Sequence, residues 1–244
     1  MPEAGYRRCV LGRPGRAPRC GQPRRVEPGA RAAEGAVVSQ SWPLPHDLLW
    51  GMTPAQLPAQ APLWAVESLR AGHPVVVRRA EGDPGQVAVG LRGAAREQRW
   101  AAFMAVGAVV RRVSPEALCH LDSPRDLPAM RALRQLRPLL DDGGWAWGVS
   151  GSAGFELASG FAAMHVGSDL DLILRTPQRL PRHQARQLLA LLERAACRVD
   201  LQLQTPSGAV ALREWAGASA RVLLKGAQRA CLVSDPWNPQ EQAA

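Results

Sequence analysis

The stretch from residue 166 to residue 204 constrains the fold more than any other part of the chain. "VGSDLDLILR" alternates Leu170, Leu172 and Leu174 with Asp169 and Asp171, so it reads as a strand with one apolar face and one acidic face. "PRHQARQLLALLERA" follows with a proline near its first position and an apolar stripe of Ala185, Leu188, Leu189 and Leu192, the pattern of an amphipathic helix. "CRVDLQLQ" then alternates again, with Val199, Leu201 and Leu203 on one side and Asp200, Gln202 and Gln204 on the other.

The neighbouring residues extend this alternation of elements. In "DLPAMRALRQLRPLL" the residues Leu127, Met130, Leu133, Leu136 and Leu140 share one helical face, and "DDGG" at 141 to 144 ends that helix. "WAWGVSGS" reads as a strand entering a turn, "AGFELASG" as a short helix and "ARVLLKG" as a final strand. The order helix, strand, helix, strand, helix, strand defines a module over residues 123–240 with a mixed β-sheet flanked by helices. A smaller mixed α/β module is expected over 41–122. It opens with "WPLPHDLLWGM", continues with a helix from about Pro62 to a stop at Gly72, and then forms a hairpin of "PVVVRRA" and "QVAVGLRG" around Gly82, Asp83, Pro84 and Gly85. "REQRWAAFMAV" is expected to be a short helix or buried connection. "VVRRVSPEAL" is read as a short strand leading to a Pro-started helix. The fold class is α+β.

Charge must be located before it is used. The net charge is +9, but residues 1–36 hold eight arginines against three acids, which leaves 22 basic and 18 acidic residues in the remaining 208. Residues 1–40, rich in Arg, Pro and Gly and without apolar periodicity, are read as a disordered tail. The rest has little excess charge and no interleaved basic and aromatic stripe, which argues against a nucleic-acid partner. No run is long and apolar enough for a membrane span. Cys9, Cys20, Cys119, Cys197 and Cys231 are scattered without a CxxC pair, as expected for reduced thiols in a cytoplasmic protein.

Asp169 and Asp171 are like charges on one face, and keeping both ionised calls for a divalent metal or basic partners. An all-oxygen ligand set favours Mg²⁺, with Mn²⁺ possible, and Mg²⁺ borrows its remaining ligands from water and substrate phosphates. "SGS" at 150 to 152 ends a strand and opens a helix, presenting unpaired N–H groups to an anion. Gly151 permits close backbone approach and Ser152 adds a hydroxyl donor. Asp200, on the polar face of the next strand, is a candidate third carboxylate. Two metals so held would clamp the entering and leaving oxygens of a phosphoryl displacement.

"GVSGSAGFELASG", "SDLDLILR" and "RVDLQLQ" together resemble the core motif of the DNA polymerase beta-like nucleotidyltransferase superfamily. With "HDLLWGM", "PVVVRRA" and "VAVGLRG" added, residues 42 to 238 resemble the phosphoribosyl-dephospho-CoA transferases that act as malonate decarboxylase holo-acyl-carrier-protein synthases. The resemblance implies transfer of phosphoribosyl-dephospho-CoA from 2'-(5''-triphosphoribosyl)-3'-dephospho-CoA to a serine of the apo acyl carrier protein, with release of diphosphate. It implies that Asp169 and Asp171 hold the metal and that Gly151 and Ser152 bind the triphosphate. Asp200 would complete the metal site or take the serine proton. Lys225 is implied as a phosphate contact, and Arg175 is either a second contact or a solvated residue. Glu156 either orients Ser152 or faces solvent, His46 and His165 are read as structural, and the tail is expected to be dispensable. Two other readings remain: a related nucleotidyltransferase with another protein or small-molecule acceptor, and an inactive binding module of the decarboxylase.

Overall fold

A computed structural model describes residues 42–95 and 97–239, and the expected tail over residues 1–40 lies outside them. Two sheets and five helices are present among the described residues, an α+β architecture. The first sheet contains β1 (Leu48–Trp50), β2 (Val75–Val77), β3 (Gln86–Arg92), β4 (Arg99–Ala105) and β5 (Arg111–Val113) in the order β4-β3-β2-β1-β5, every neighbour antiparallel. Between β1 and β2 runs α1 (Leu63–Arg70), which follows Pro62 and is succeeded by Gly72 at φ +76°. Its buried Ala65 and Leu69 join Leu49, Val75, Val77, Val87, Val89, Leu91, Ala102 and Met104 in one apolar core.

The expected helix or connection over "REQRWAAFMAV" is instead the strand β4. All seven of its residues pair with β3, from Arg92↔Arg99 to Gln86↔Ala105. Alanine and methionine favour helices in isolation, but tertiary pairing overrides so weak a preference. Here Ala102 and Met104 alternate inward while Arg99, Ala101 and Phe103 stay exposed. The turn between the strands is closed by the Gly93 N–H donating to the Gln98 carbonyl and the Ala95 N–H donating to the Gln98 side-chain oxygen.

The second sheet contains β6 (Trp147–Val149), β7 (Leu170–Arg175), β8 (Val199–Thr205), β9 (Gly208–Ala211), β10 (Val222–Lys225) and β11 (Ala230–Val233), in the order β11-β10-β9-β8-β7-β6. Only β7 and β8 run parallel, so a crossover is needed, and α4 (Arg182–Leu192) supplies it. The apolar faces of β7 and β8 pack with Ala185, Leu188 and Leu192 of α4 and with Met130, Leu133, Leu136 and Leu140 of α2 (Pro128–Asp142) in a second core. The predicted stripes therefore mark the buried faces, except that Leu127 and Leu189 are only partly covered. Strands β1, β9 and β11, and the short helix α5 (Leu212–Ala216), have no counterpart in the expectations. No described helix is long and apolar enough to cross a membrane.

The polar face of the second sheet turns toward the first. Arg79, just after β2, donates to the Gln204 side-chain oxygen on β8, and Arg92 at the end of β3 donates to the Ala163 carbonyl at 3.0 Å. Along β3, Val87, Val89 and Leu91 enter the first core while Gly90 and Arg92 line the cleft between the sheets.

Candidate active site

The site is built where β6 hands over to α3 (Gly151–Ser159) beside the start of β7. The Ser150 N–H donates to the Asp171 carbonyl at 2.9 Å, extending the β6–β7 ladder by one bond and fixing the turn against that aspartate. Gly151 then takes φ +61°, and a Cβ placed there would lie 1.8 Å from Asp171 Oδ2. Only glycine fits, on both conformational and steric grounds. The Ser150 side chain makes no capping bond, which leaves the first-turn N–H groups of α3 without a side-chain cap at the end bearing Gly151 and Ser152.

Asp169, Asp171, Gly151 and Ser152 line one pocket of about 270 Å³. Cations face the carboxylates across it, which a strand pattern could not reveal. Arg92 and Arg99 are register partners on β3 and β4, and both line the pocket. Burial and the Arg99 charge push the Arg92 pKa below its ordinary value, while the Asp171 and Glu156 carboxylates act in the opposite sense. Arg92 also lies over the Phe155 ring, 5.6 Å from its centroid. Arg198 Nε approaches Asp169 Oδ2 at 3.9 Å in a well-exposed pair.

The rest of the wall is the loop after α3. His165 lines the pocket, and its Nδ1 accepts the Gly167 N–H at 3.1 Å, which places the proton of the neutral ring on Nε2. The Ser168 hydroxyl accepts the His165 N–H at 2.9 Å. Glu156 anchors this loop and does neither thing expected of it. It is 6% exposed and accepts from the N–H groups of Ala163 and Met164 at 2.9 Å each, from Arg125 at 2.8 Å and from the Ser123 hydroxyl at 3.3 Å. Arg175 is also committed, its Nε 2.7 Å from Glu116 Oε1.

Two of the proposed site residues stand apart from this pocket. Asp200 is the register partner of Asp171 on the parallel strand β8, one strand away, yet it lines a separate depression with Arg198 and Arg213. Lys225 lies at the end of β10 in a third cavity, with His46, Arg78, Arg79 and Gln202. Among the described residues no group of three His, Cys, Asp or Glu side chains is placed to hold a metal ion. The two aspartates of the pocket are an oxygen-only half-set. That suits Mg²⁺, which takes one or two carboxylates and fills its shell with water and phosphate oxygens, and it does not suit a self-sufficient zinc cage.

Next to the carboxylate pocket, and sharing Arg92, Arg99 and Gly151 with it, is a larger cleft of about 480 Å³. Its walls are mostly apolar: Leu48, Val76, Trp100 and Phe155, with the small residues Gly90 and Ala101 adjoining Val76 in one row across β2, β3 and β4. His46 stands at its rim in a left-handed conformation, φ 77°, with its pKa pushed down to about 4, first by burial and then by Arg79, Arg175 and Lys225.

The site thus sets two carboxylates beside a helix amino terminus, with two arginines and an apolar cleft alongside. The family model of the phosphoribosyl-dephospho-CoA transferase MdcG N-terminal domain matches residues 44–115, and that of the MdcG C-terminal domain matches residues 117–236. The chain belongs to the phosphoribosyl-dephospho-CoA transferase family and is a transferase. It is 74% identical over 202 residues to the phosphoribosyl-dephospho-CoA transferase of Pseudomonas fluorescens (strain Pf0-1), covering 83% of this chain and 98% of that protein. The protein of the same name from Pseudomonas aeruginosa is 58% identical over 204 residues, 83% of this chain and 97% of that one. Its namesake in Azotobacter vinelandii is 55% identical over 200 residues, 80% and 94% respectively. No solved structure matches the chain.

Proposed function

We propose that this transferase moves phosphoribosyl-dephospho-CoA from 2'-(5''-triphosphoribosyl)-3'-dephospho-CoA to a serine hydroxyl of the apo acyl carrier protein of malonate decarboxylase. The observation that carries the reading is the single pocket in which Asp169 and Asp171 meet Gly151–Ser152 and the Arg92–Arg99 pair. Membership of the MdcG family supplies the substrate class and the decarboxylase context.

In this reading the α3 amino terminus and Ser152 receive the triphosphate, and the two arginines match its charge from the opposite side. The serine oxygen forms a bond to the α-phosphorus as the bond to the departing diphosphate breaks. The serine proton passes to solvent water as that bond forms, because Asp200, the acid one strand from Asp171, lines a separate depression. Asp169 and Asp171 are the residues that would hold Mg²⁺, or Mn²⁺ in its place, and that ion would supply charge neutralisation for the triphosphate and its leaving group. The aliphatic residues flanking the aspartates, Leu170 and Leu172, are fully buried and hold the acidic face rigid.

The test is diphosphate release measured with and without apo carrier protein. Release should require the carrier and Mg²⁺, and should fall by about 1,000-fold or more in Asp171→Ala, the scale on which loss of transition-state charge stabilisation acts. Undiminished release in that variant would refute the assignment.

A further inference from the structure

The cavity that holds Lys225 is a second basic centre on the face that carries Asp171, and the carboxylate pocket leaves it without a role. Register fixes where it lies. Lys225 pairs with Ala209, Ala209 with Gln204 and Gln204 with Arg175, a single row across the sheet, while Asp171 lies four residues earlier than Arg175 on β7. With strands about 4.8 Å apart and a rise of about 3.3 Å per residue, Lys225 is displaced about 14 Å across the sheet and about 13 Å along it, so its backbone is about 19 Å from that of Asp171. A triphosphate seated on Gly151 and Ser152 is out of its reach.

Arg78 and Arg79 face Lys225 across this cavity of about 410 Å³. Neither Arg78 nor Lys225 has a carboxylate partner among the described residues. Arg79 is held in place by the side-chain oxygen of the buried Gln204. His46, at the junction with the apolar cleft, feels the positive potential of this corner through Arg79, Arg175 and Lys225. The two cavities share His46, Val76 and Arg78, and the apolar cleft in turn shares Arg92, Arg99 and Gly151 with the carboxylate pocket. The three cavities therefore adjoin in a row, with basic residues at each end and the apolar cleft between them.

A substrate that matches this row needs two anionic groups separated by a neutral, partly aromatic section. Triphosphoribosyl-dephospho-CoA has that form: two pentose rings link its triphosphate to the diphosphate that leads to pantetheine, and the purine branches from the second of them. We propose that Arg78, Arg79 and Lys225 form a second anion subsite that takes the diphosphate of the dephospho-CoA portion, with the purine in the apolar cleft. This inference rests on the transferase reading above. It also assigns Lys225 to the diphosphate of the substrate and not to the triphosphate that reacts.

The test is calorimetric titration of the full chain with dephospho-CoA, which has the diphosphate and lacks the triphosphate. Wild type and Asp171→Ala should bind it within about threefold of one another, whereas Lys225→Ala and Arg78→Ala should each weaken it by about tenfold or more, as loss of one phosphate-pairing cation implies. Lys225→Arg should restore most of the affinity, and adenosine should bind all these variants alike. Wild-type affinity in both alanine variants, or no binding of dephospho-CoA to wild type, would overturn the subsite. If carrier modification by wild type persists in either of those cases, the transferase reading stands and the subsite alone is wrong. If the carrier is not modified at all, the reading itself fails.

Discussion

Replacing Gly151 by alanine perturbs the site at one atom, and the structure sets the size of the effect. The left-handed backbone at φ +61° costs a non-glycine residue about 1–2 kcal/mol. The added Cβ would meet Asp171 Oδ2 at 1.8 Å, Cγ at 2.5 Å and Cβ at 2.7 Å, where contacts under 3.0 Å essentially never occur. The carboxylate has to retreat by more than an ångström or the turn has to open, and either response adds about 1 kcal/mol of strain, for a total of about 2–3 kcal/mol in urea unfolding. Displacement of a reacting group by that distance lowers kcat/KM by about 100-fold. Gly72→Ala is the control: it shares the left-handed backbone, φ +76°, but its Cβ would meet nothing within 4 Å, so it should show the backbone part alone and keep full activity. In an Asp171→Ala background the two closest overlaps vanish, and the cycle of single and double variants should show a favourable coupling of about 1 kcal/mol. Equal stability losses for Gly151→Ala and Gly72→Ala, with activity retained in both, would refute the claim that Gly151 exists to admit Asp171.

Other outcomes follow from the same geometry. Arg92→Ala and Arg99→Ala should each raise KM for the triphosphate substrate by about 10-fold or more, and steady-state kinetics showing no change would remove them from the site. Glu156→Ala leaves one buried and one half-buried N–H group and Arg125 unpaired and should cost about 3 kcal/mol in urea unfolding, with activity falling because the loop bearing His165 and Ser168 is released; a loss under about 1 kcal/mol would contradict its anchoring role. The His46 ring, titrated by NMR, should stay neutral until about pH 4, and a midpoint near 6.5 would contradict the environment described. Because its folded pKa lies below its unfolded value, the stability associated with neutral His46 is present above pH 6.5 and is lost as the pH falls from there toward 4.

Strong periodicity made the catalytic half of the fold readable in advance. Two alternating runs around an amphipathic helix gave β7, α4 and β8, and Gly151, Ser152, Asp169 and Asp171 meet in one pocket because the first two open α3 and the last two flank the start of β7. The rest depended on tertiary context. "RWAAFMA" has helix-forming residues, and only its pairing with β3 makes it a strand. Strands of three or four residues, such as β1 and β9, are too short to set up a period. Arg92 lies in "VAVGLRG" and Arg99 in "REQRWAAFMAV", and neither stretch marked its arginine as a site residue. Their register match across a hairpin, with Gly90 and Ala101 beside them, was the available signal, and it needed the correct assignment of β4. Glu156 and Lys225 show the same limit: the sequence offered Glu156 either Ser152 or solvent, and the resemblance offered Lys225 a phosphate contact, whereas burial commits the first to a loop and register sets the second in a cavity apart from the carboxylate pocket.

Intact-mass spectrometry of the apo acyl carrier protein tests the central claim most directly, after incubation with the full chain, triphosphoribosyl-dephospho-CoA and Mg²⁺. The carrier should gain a single phosphoribosyl-dephospho-CoA group, abolished when the acceptor serine is replaced by alanine and absent with the Asp171→Ala enzyme. A carrier that keeps its unmodified mass with the wild-type enzyme, or that gains an adduct from ATP or CTP in place of this substrate, would contradict it.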